Sequence, residues 1–402
     1  MRVKDEKRAD YIVFGQPRLS DEEIQAVTRT LRSGWIGTGP RSKEFESAFA
    51  AYQGADHAAA VSSCTAALNL SLRAFGIGQG DEVITTAMTF AATVNAIIHA
   101  GATPVLVDVN PLTQNIDIEK VRQAITPRTR AIVPVHFAGL ACDMDALMEL
   151  RSRYNLKLVH DCAHAIETEW KGRHIGSYGD AVCYSFYSTK NITTIEGGMV
   201  CSPDSAFIDK LRLLSYQGMS KDAWKRYSNH GYNHYDIVTN GFKLNMTDVQ
   251  ASLGLEQLKT VEDHYRRRKE IWDVYQKAFK TTQLAMPSYE SSLSRHAYHL
   301  YTPMVDADVC GVDADEMRVM LHERGIGTGC HYRSIPAMSY YNDIYGWNPD
   351  QYPVANQIGN QTISLPLTPY LTDIEVMRVI MKVMEILAIG AERLRHRDKK
   401  AA

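Results

Sequence analysis

Short apolar runs alternate with segments of helical periodicity along the first half of the chain. Near the amino terminus Ser20 stands at a helix-capping position, Glu23 completes a capping box, and Ile24, Val27 and Leu31 recur at helical spacing. Six apolar runs have the length of strands, most of them separated by helical stretches: His57–Val61, Glu82–Thr85, Pro104–Val107, Ala131–Val135, Lys157–Val159 and Ala181–Ser185. This alternation predicts an α/β fold with a large, mostly parallel sheet flanked by helices.

The last third of the chain has a different pattern. A helix predicted over Met246–Leu258 is followed by the charged, helix-forming segment Val261–Tyr275, which we interpret as the connection into a smaller domain. Three elements are predicted there: a strand over Tyr298–Val305, a helix over Ala314–Arg324 closed by Gly325, and a final helix over Asp373–Leu387. We therefore expect an arm and helix over residues 1–30, a large domain over residues 31–262 and a smaller α+β domain over residues 263–402.

Composition and charge exclude several classes of protein. The chain has 402 residues, 45% of them hydrophobic, which is enough to bury a large core. Its net charge of -2 offers no basic excess to nucleic acid or to an anionic membrane. No apolar run reaches the about 18 residues of a membrane span, and the charged amino terminus lacks the apolar core of a secretion signal. We expect a cytoplasmic protein that binds neither nucleic acid nor membrane.

The sequence predicts neither a disulfide framework nor a metal centre. The seven cysteines are scattered without a C-x-x-C pair, which is typical of a reducing compartment. His160, Asp161, Cys162 and His164 resemble a metal cluster, but adjacent residues on a strand point to opposite faces. No metal ligands are therefore expected.

One lysine stands in a context that favours covalent chemistry. Lys190 follows the apolar run that ends at Ser185, and a lysine attacks an aldehyde only where a semi-buried position keeps its amine partly neutral. Asp161 follows another apolar run, so both groups are expected at the ends of neighbouring strands, where α/β sheets bind ligands. The pair is typical of pyridoxal phosphate (PLP) chemistry, with Lys190 as the Schiff-base lysine and Asp161 pairing with the ring nitrogen.

A phosphate group needs directed hydrogen-bond donors, and the segment around Thr65 offers them at the start of a predicted helix. The backbone N–H groups of Thr65 and Ala66 and the Thr65 hydroxyl are the predicted contacts. Without Lys190, an ordinary helix cap would be the simpler interpretation of the same residues.

Together these motifs resemble the DegT family of sugar aminotransferases, which are PLP enzymes of fold type I. The resemblance extends from about Phe14 to about Leu387. The matching stretches are GWIGTGP, VSSCTAAL, GDEVIT, TFAATVNAI, AITPRTRAIVPVHFAG, HDCAHA, SFYSTKNITTIEGG, GFKLNMTD, RGIGTGCHY and SLPL. The resemblance implies that PLP and its amine form (PMP) carry an amino group from glutamate or glutamine to a nucleotide-diphosphate keto-sugar, and we expect a 4-keto-6-deoxyhexose.

The resemblance also implies roles for further residues. Ser185 matches a phosphate-binding serine, Phe90 an aromatic ring stacked on the pyridine, and His164 a position beside the ring and its phenolic oxygen. Asn245 matches an asparagine that reaches the phosphate from the partner subunit, which implies a homodimer with shared active sites. The positions that line the sugar site are matched by Trp35, His331 and Tyr332.

Specificity is the least determined property. Pro336 replaces a histidine that many relatives use near the sugar, and His160 stands where relatives often carry glutamate. The segment Met219–Asn240 is rich in aromatic and basic residues, which suit either a nucleotide contact or a solvated surface loop.

Three other functions compete with sugar amination. Lys190 argues against a branch that removes a sugar hydroxyl and carries histidine in place of this lysine. An aminotransferase for cyclitols or carbocyclic ketones stays open, because only substrate assays separate it. A non-catalytic regulator or binding scaffold on the same fold is disfavoured by the joint presence of Lys190, Asp161, Ser185 and Thr65.

Overall fold

The computed structural model describes residues 10–219, 236–287 and 292–401. Its helices are α1 (Asp21–Arg32), α2 (Pro40–Gln53), α3 (Cys64–Ala74), α4 (Ala91–Ala100), α5 (Ile118–Ala124), α6 (Met144–Tyr154), α7 (Ser205–Ser215), α8 (Asp248–Phe279), α9 (Ala307–Cys310), α10 (Ala314–Glu323), α11 (Ser339–Tyr345), α12 (Pro353–Gln361) and α13 (Asp373–Ala401). Among these helices, none combines the length and the apolar composition that a membrane span needs.

The strands form one large and one small sheet. They are β1 (His57–Val61), β2 (Glu82–Thr86), β3 (Thr103–Val107), β4 (Thr129–Val133), β5 (Lys157–Asp161), β6 (Glu169–Trp170), β7 (Arg173–His174), β8 (Ala181–Ser185), β9 (Gly198–Ser202) and β10 (Ser294–Arg295). The large sheet has the order β1-β9-β8-β5-β4-β2-β3, and the small one has the order β10-β6-β7. The predicted α/β fold with a mostly parallel sheet flanked by helices is confirmed.

Strand β9 is the part of the large sheet that the sequence pattern did not predict. It lies between β1 and β8 and is antiparallel to both. Its first residue is Gly198. Because β5 and β8 are parallel neighbours, with Asp161 opposite Cys183, the carboxyl ends of these two strands meet at one edge of the sheet.

Helix α1 begins as predicted but is oriented differently from what its apolar spacing suggests. Ser20 and Glu23 form the capping box. However, Ile24 and Leu31 are about half exposed, whereas Glu23 is buried and accepts a hydrogen bond of 2.7 Å from Gln257 on α8. The side of α1 that carries Ile24 and Leu31 therefore points away from the part of the chain that the structure describes.

Helix α8 corrects the prediction for the last third of the chain. The helix predicted over Met246–Leu258 and the helix-forming segment over Val261–Tyr275 belong to one helix, which runs without interruption from Asp248 to Phe279. The second half of α8 packs with α10 and α13 in a second hydrophobic core that includes Trp272, Tyr275, Met317 and Val379. The division at residues 262 and 263 falls inside α8, and we keep the two-domain division as a proposal.

Other predictions for this region have mixed outcomes. The predicted strand over Tyr298–Val305 is wrong: only single bridges form there, from Tyr301 to Leu365 and from Met304 to Ala285 and Thr362. Proline 303 interrupts the run and has no N–H to donate. Helix α10 matches its prediction, with Gly325 at φ +78° directly beyond its carboxy-terminal cap. Helix α13 continues beyond the predicted end.

Candidate active site

Asp161 and Lys190 lie at the edge of the large sheet where β5 and β8 end. Asp161 is the last residue of β5, and Lys190 follows β8 in a turn closed by its own N–H, which donates to Tyr187 O at 3.0 Å. The charge of Lys190 acts on Asp161, so the two groups face one region of the protein. The structure thus brings together the two residues that the sequence singled out for cofactor chemistry.

Asp161 is a buried carboxylate held by three donors. The Thr93 hydroxyl donates to Oδ2 at 2.8 Å, the Ala163 N–H donates to Oδ1 at 3.1 Å, and the Cys64 thiol lies 3.8 Å from Oδ1. Burial raises the pKa of Asp161 above its ordinary value, while these hydrogen bonds and Lys190 oppose that rise. Thr93 and Cys64 were missed by sequence reasoning, because neither lies near Asp161 in the chain.

Lys190 is placed to carry a neutral amine. Burial lowers its pKa to about 8, and the nearby carboxylate of Asp161 opposes this shift. An ordinary lysine would be almost fully protonated at neutral pH. The neutral fraction of Lys190, which attacks an aldehyde, is therefore much larger than that of an ordinary lysine, although the protonated form still predominates at pH 7.

The start of α3 has the features of an anion site. Ser63 caps the helix and its hydroxyl accepts the Ala66 N–H at 3.1 Å, so a phosphate would share or replace this acceptor. The N–H groups of Cys64 and Thr65, in the first turn, have no acceptor within the helix. A Cβ on Gly198 would lie 2.5 Å from the Ser63 carbonyl, which explains why glycine stands there. Ser185 is buried at the end of neighbouring β8.

His164 and Tyr332 are joined by a hydrogen bond whose direction the structure defines. His164 Nδ1 accepts the Ala138 N–H at 3.2 Å, and burial holds the pKa of His164 well below its ordinary value. The neutral ring therefore carries its proton on Nε2 and donates to Tyr332 Oη at 2.9 Å. The proton of the Tyr332 hydroxyl remains available to another acceptor.

The other predicted aromatic residues lie around this pair. Phe90, at the start of α4, is 59% exposed, and its ring centroid lies 5.9 Å from that of Tyr332. His331 Nδ1 and the Ser364 hydroxyl are joined by a hydrogen bond of 2.7 Å. Burial lowers the pKa of His331 to about 4, so the ring is neutral at physiological pH.

Two of the predicted residues, Trp35 and Asn245, lie close to each other at the turn between α1 and α2. Thr38 connects them, because it accepts a 2.5 Å hydrogen bond from Asn245 Nδ2 while its carbonyl lies 3.4 Å from Trp35 Nε1. The Asn245 backbone bridges to Val61, near the start of α3 in the same chain. The role of Asn245 across a subunit interface stays a proposal. Residues 220–235, which make up most of the segment interpreted as a nucleotide contact or surface loop, lie outside the described ranges.

A buried polar network behind Lys190 was not predicted. Asn191 Nδ2 donates to Glu167 at 2.7 Å, and His299 Nδ1 lies 2.8 Å from Asn191 Oδ1. Arg268 of α8 donates to the other oxygen of Glu167, and both side chains are almost completely buried. The network holds Asn191, the residue next to Lys190. It connects Asn191 to α8 through Glu167 and Arg268, and to the segment that contains His299. Its only sequence signal was the adjacency of Asn191 to Lys190.

The residues present fit the chemical groups of PLP. Asp161 is a buried carboxylate, and a protonated pyridine nitrogen would supply a cationic partner for it. Lys190 suits the aldehyde, and the start of α3 suits the phosphate. No group of three or more potential metal ligands exists among residues 10–219, 236–287 and 292–401. The sheet, the lysine and the aspartate define a PLP-dependent enzyme of fold type I.

Comparisons with known proteins give the family. Residues 17–384 match the DegT/DnrJ/EryC1/StrS aminotransferase family, and the chain belongs to it. The spore coat polysaccharide biosynthesis protein SpsC of Bacillus subtilis is 47% identical over 95% of this chain and 98% of its own length. The protein is a PLP-dependent sugar aminotransferase.

Solved structures agree with this assignment. Spr1654 from Streptococcus pneumoniae, described as a candidate sugar aminotransferase, matches in its PMP form with a TM-score of 0.88 and 35% identity, covering 94% of this chain and 100% of that one. It matches also in its PLP form. Helicobacter pylori PseC, an aminotransferase involved in pseudoaminic acid biosynthesis, matches with a TM-score of 0.87 and 28% identity over 94% of this chain and 99% of that one. PLP and PMP are the cofactor forms of this family.

The lowered pKa of Lys190 gives a testable pH dependence. Only the neutral amine attacks the aldehyde, so the rate of covalent loading of the apoprotein with PLP should rise about tenfold per pH unit below pH 8 and level off above it. The measurement is the growth of visible absorbance after mixing, at a series of pH values. A rate that still rises steeply between pH 9 and pH 10 would show an ordinary lysine and contradict the prediction.

Proposed function

We propose that this enzyme transfers an amino group from glutamate or glutamine to a nucleoside-diphosphate keto-sugar, with a 4-keto-6-deoxyhexose as the expected acceptor. The observation that carries the proposal is the position of Lys190, half-buried and with a lowered pKa, facing the buried Asp161. The relative named for spore coat polysaccharide biosynthesis supports a sugar acceptor destined for a polysaccharide. We further propose a cytoplasmic location, because all seven cysteines are free.

The side chains of the site have separate roles in the transfer of the amino group. PLP supplies the aldehyde that takes up the amino group and the ring that withdraws electrons. Asp161 keeps the ring nitrogen protonated, since Thr93 and Ala163 stabilise its charged form. Lys190, once its amine is released, is the base that removes the proton from the α-carbon of the donor and later returns a proton to the sugar carbon. We assign to Tyr332, whose hydroxyl proton is left free by His164, the donation of a proton to an oxygen of the sugar.

The experiment that tests the proposal uses the two half-reactions separately. Glutamate or glutamine should bleach the visible absorbance of the PLP-loaded enzyme as PMP forms. The PMP form should then be reoxidised by a nucleoside-diphosphate 4-keto-6-deoxyhexose, and the amino-sugar should be detected by mass spectrometry. Reoxidation by a carbocyclic ketone and not by the nucleotide sugar would establish the cyclitol alternative. An enzyme that binds no PLP would revive the scaffold alternative.

We also propose a homodimer in which each active site uses both chains. Large apolar side chains are exposed on α1 and in the turn that follows it: Ile24, Leu31, Trp35 and Ile36 are between 42% and 53% exposed. Monomeric proteins rarely expose such a run, and a partner subunit would cover it. This surface leads towards the site because Thr38, in the same turn, binds Asn245.

Mixing two inactive variants tests whether the sites are shared. Lys190→Ala and Asn245→Ala homodimers should each have low activity. If Asn245 acts across the interface, every mixed dimer contains one intact site, so remixed subunits should regain about a quarter of wild-type activity. The control is each variant remixed with itself. If the mixture stays as inactive as its components, Asn245 serves its own chain.

A further inference from the structure

Helix α13 is apolar on two opposite faces. One face packs into the second core through Val376, Val379, Val383, Ile386 and Leu387. The other face is exposed, with Ile374 at 82%, Met377 at 50%, Met381 at 52% and Met384 at 41%. A helix that covers a single domain normally presents polar residues to water, and a helix that is apolar all round is buried. Among residues 10–219, 236–287 and 292–401, nothing covers the outer face of α13.

The exposed residues follow a coiled-coil spacing. Steps of three and four residues alternate along what we call the methionine stripe: Ile374, Met377, Met381, Met384 and Ala388, which are exposed, and Ala391, which is half-buried. These are the a and d positions of a heptad pattern, which seats side chains between those of a second helix. The stripe is about 26 Å long at the α-helical rise of about 1.5 Å per residue. A partner helix of similar length fits it.

The stripe is complementary to itself in the antiparallel direction. A two-fold axis passing between Lys382 and Val383 would place Met381 against Met384 of a second copy. The same axis would place Met377 against Ala388 and Ile374 against Ala391, so that a large residue meets a small one at each end. All six positions of the stripe are then covered, and each contact occurs twice.

The charges at the two ends of α13 also favour an antiparallel pair. The first turn of α13 is acidic, with Asp373 and Glu375, whereas Arg393, Arg395 and Arg397 follow the stripe. Within the chain, Asp373 pairs with Arg267, Arg393 with Glu316 and Arg397 with Asp308, so the charges act on a second copy through the overall sign of each helix end. An antiparallel pair brings the acidic start of each helix to the basic end of the other, and the two helix dipoles oppose each other favourably. A parallel pair would bring like charges together at both ends.

From the apolar outer face, its heptad spacing and this charge pattern, we infer that two copies of the chain associate through an antiparallel pairing of their α13 helices. This contact is independent of the shared-site homodimer, which uses the surface from α1 to Ile36. If both contacts exist, the enzyme is a dimer of dimers. If the shared-site homodimer fails, the α13 contact alone gives a dimer.

The first test measures the mass of the PLP-loaded protein by light scattering after gel filtration. The variant Met381→Glu with Met384→Glu should have half the mass of the wild type, because it places charges in the centre of the contact. The matched control is Val309→Glu with Val319→Glu, two exposed valines on α9 and α10 outside the stripe, which should keep the wild-type mass. Equal masses for wild type and the Met381/Met384 variant would overturn the inference.

Disulfide cross-linking tests the direction of the pairing. Cys330 is the only exposed cysteine, so Cys330→Ser removes the background. In that protein, Met381→Cys with Met384→Cys should form a covalent dimer under mild oxidation, whereas Met381→Cys alone should not, since Met381 faces Met384 of the other copy. Efficient cross-linking by the single variant would show a parallel or unspecific contact and overturn the antiparallel pairing, as would the absence of cross-linking in the double variant.

Discussion

Replacement of Lys190 by alanine is expected to abolish transamination. Lys190 is the group that binds the cofactor and transfers the proton, and its lowered pKa keeps part of its amine neutral for both tasks. A positioned proton-transfer group alone contributes up to about 10⁴-fold to the rate, so kcat should fall by about that factor or more. The measurement is the steady-state rate with glutamate and the keto-sugar, together with the visible spectrum of the loaded protein.

The spectrum separates loss of chemistry from loss of fold. Lys190→Ala should still bind PLP through Asp161 and the start of α3, but without the absorbance of the lysine-bound form. The control is Lys259→Ala on the surface of α8, where the lysine pairs with the neighbouring Glu256, and this variant should keep the wild-type rate. Multiple turnover at the normal rate by Lys190→Ala would remove this residue from the mechanism.

The positions of the strands and of the two cofactor-binding residues, Asp161 and Lys190, were predictable because they depend on short stretches of sequence. Apolar runs gave the strands of the large sheet except β9, and their ends gave Asp161 and Lys190. Strand β9 escaped because Gly198 begins it, and glycine is uncommon within strands unless another backbone approaches closely. Ser63 does approach closely, which only the folded chain shows.

The remaining errors come from contacts between residues far apart in the chain. The apolar spacing of α1 predicted a helix, but it could not show that Glu23 faces inward, because its partner Gln257 is distant in sequence. In the same way, the sequence around Glu167 does not indicate that this residue pairs with Arg268. Long-range polar pairs of this kind determine which side of an element is buried, and a single sequence does not display them.

Removal of the Glu167 carboxylate is the second change with a large expected effect. Glu167 and Arg268 form an ion pair that is almost completely buried, and Nε and Nη1 of Arg268 have no hydrogen-bond partner among the described residues. Glu167→Ala would leave a buried guanidinium without a counter-charge, so the free energy of unfolding should fall by about 3–5 kcal/mol. Urea denaturation of the PLP-loaded protein measures this loss. Glu44→Ala, which breaks the exposed Arg41–Glu44 pair, should change it by less than about 1 kcal/mol.

A double variant shows whether the unpaired charge is the cause. Glu167→Leu combined with Arg268→Met removes both charges and replaces them by apolar groups, which in buried ion pairs is often close to neutral for stability. The double variant should therefore be more stable than Glu167→Ala, although Asn191 has lost one acceptor next to Lys190. Recovered stability with a lowered kcat would separate the two functions of Glu167: neutralising Arg268 and positioning the lysine turn. If the double variant is no more stable than Glu167→Ala, the lost stability comes from packing and not from the buried charge.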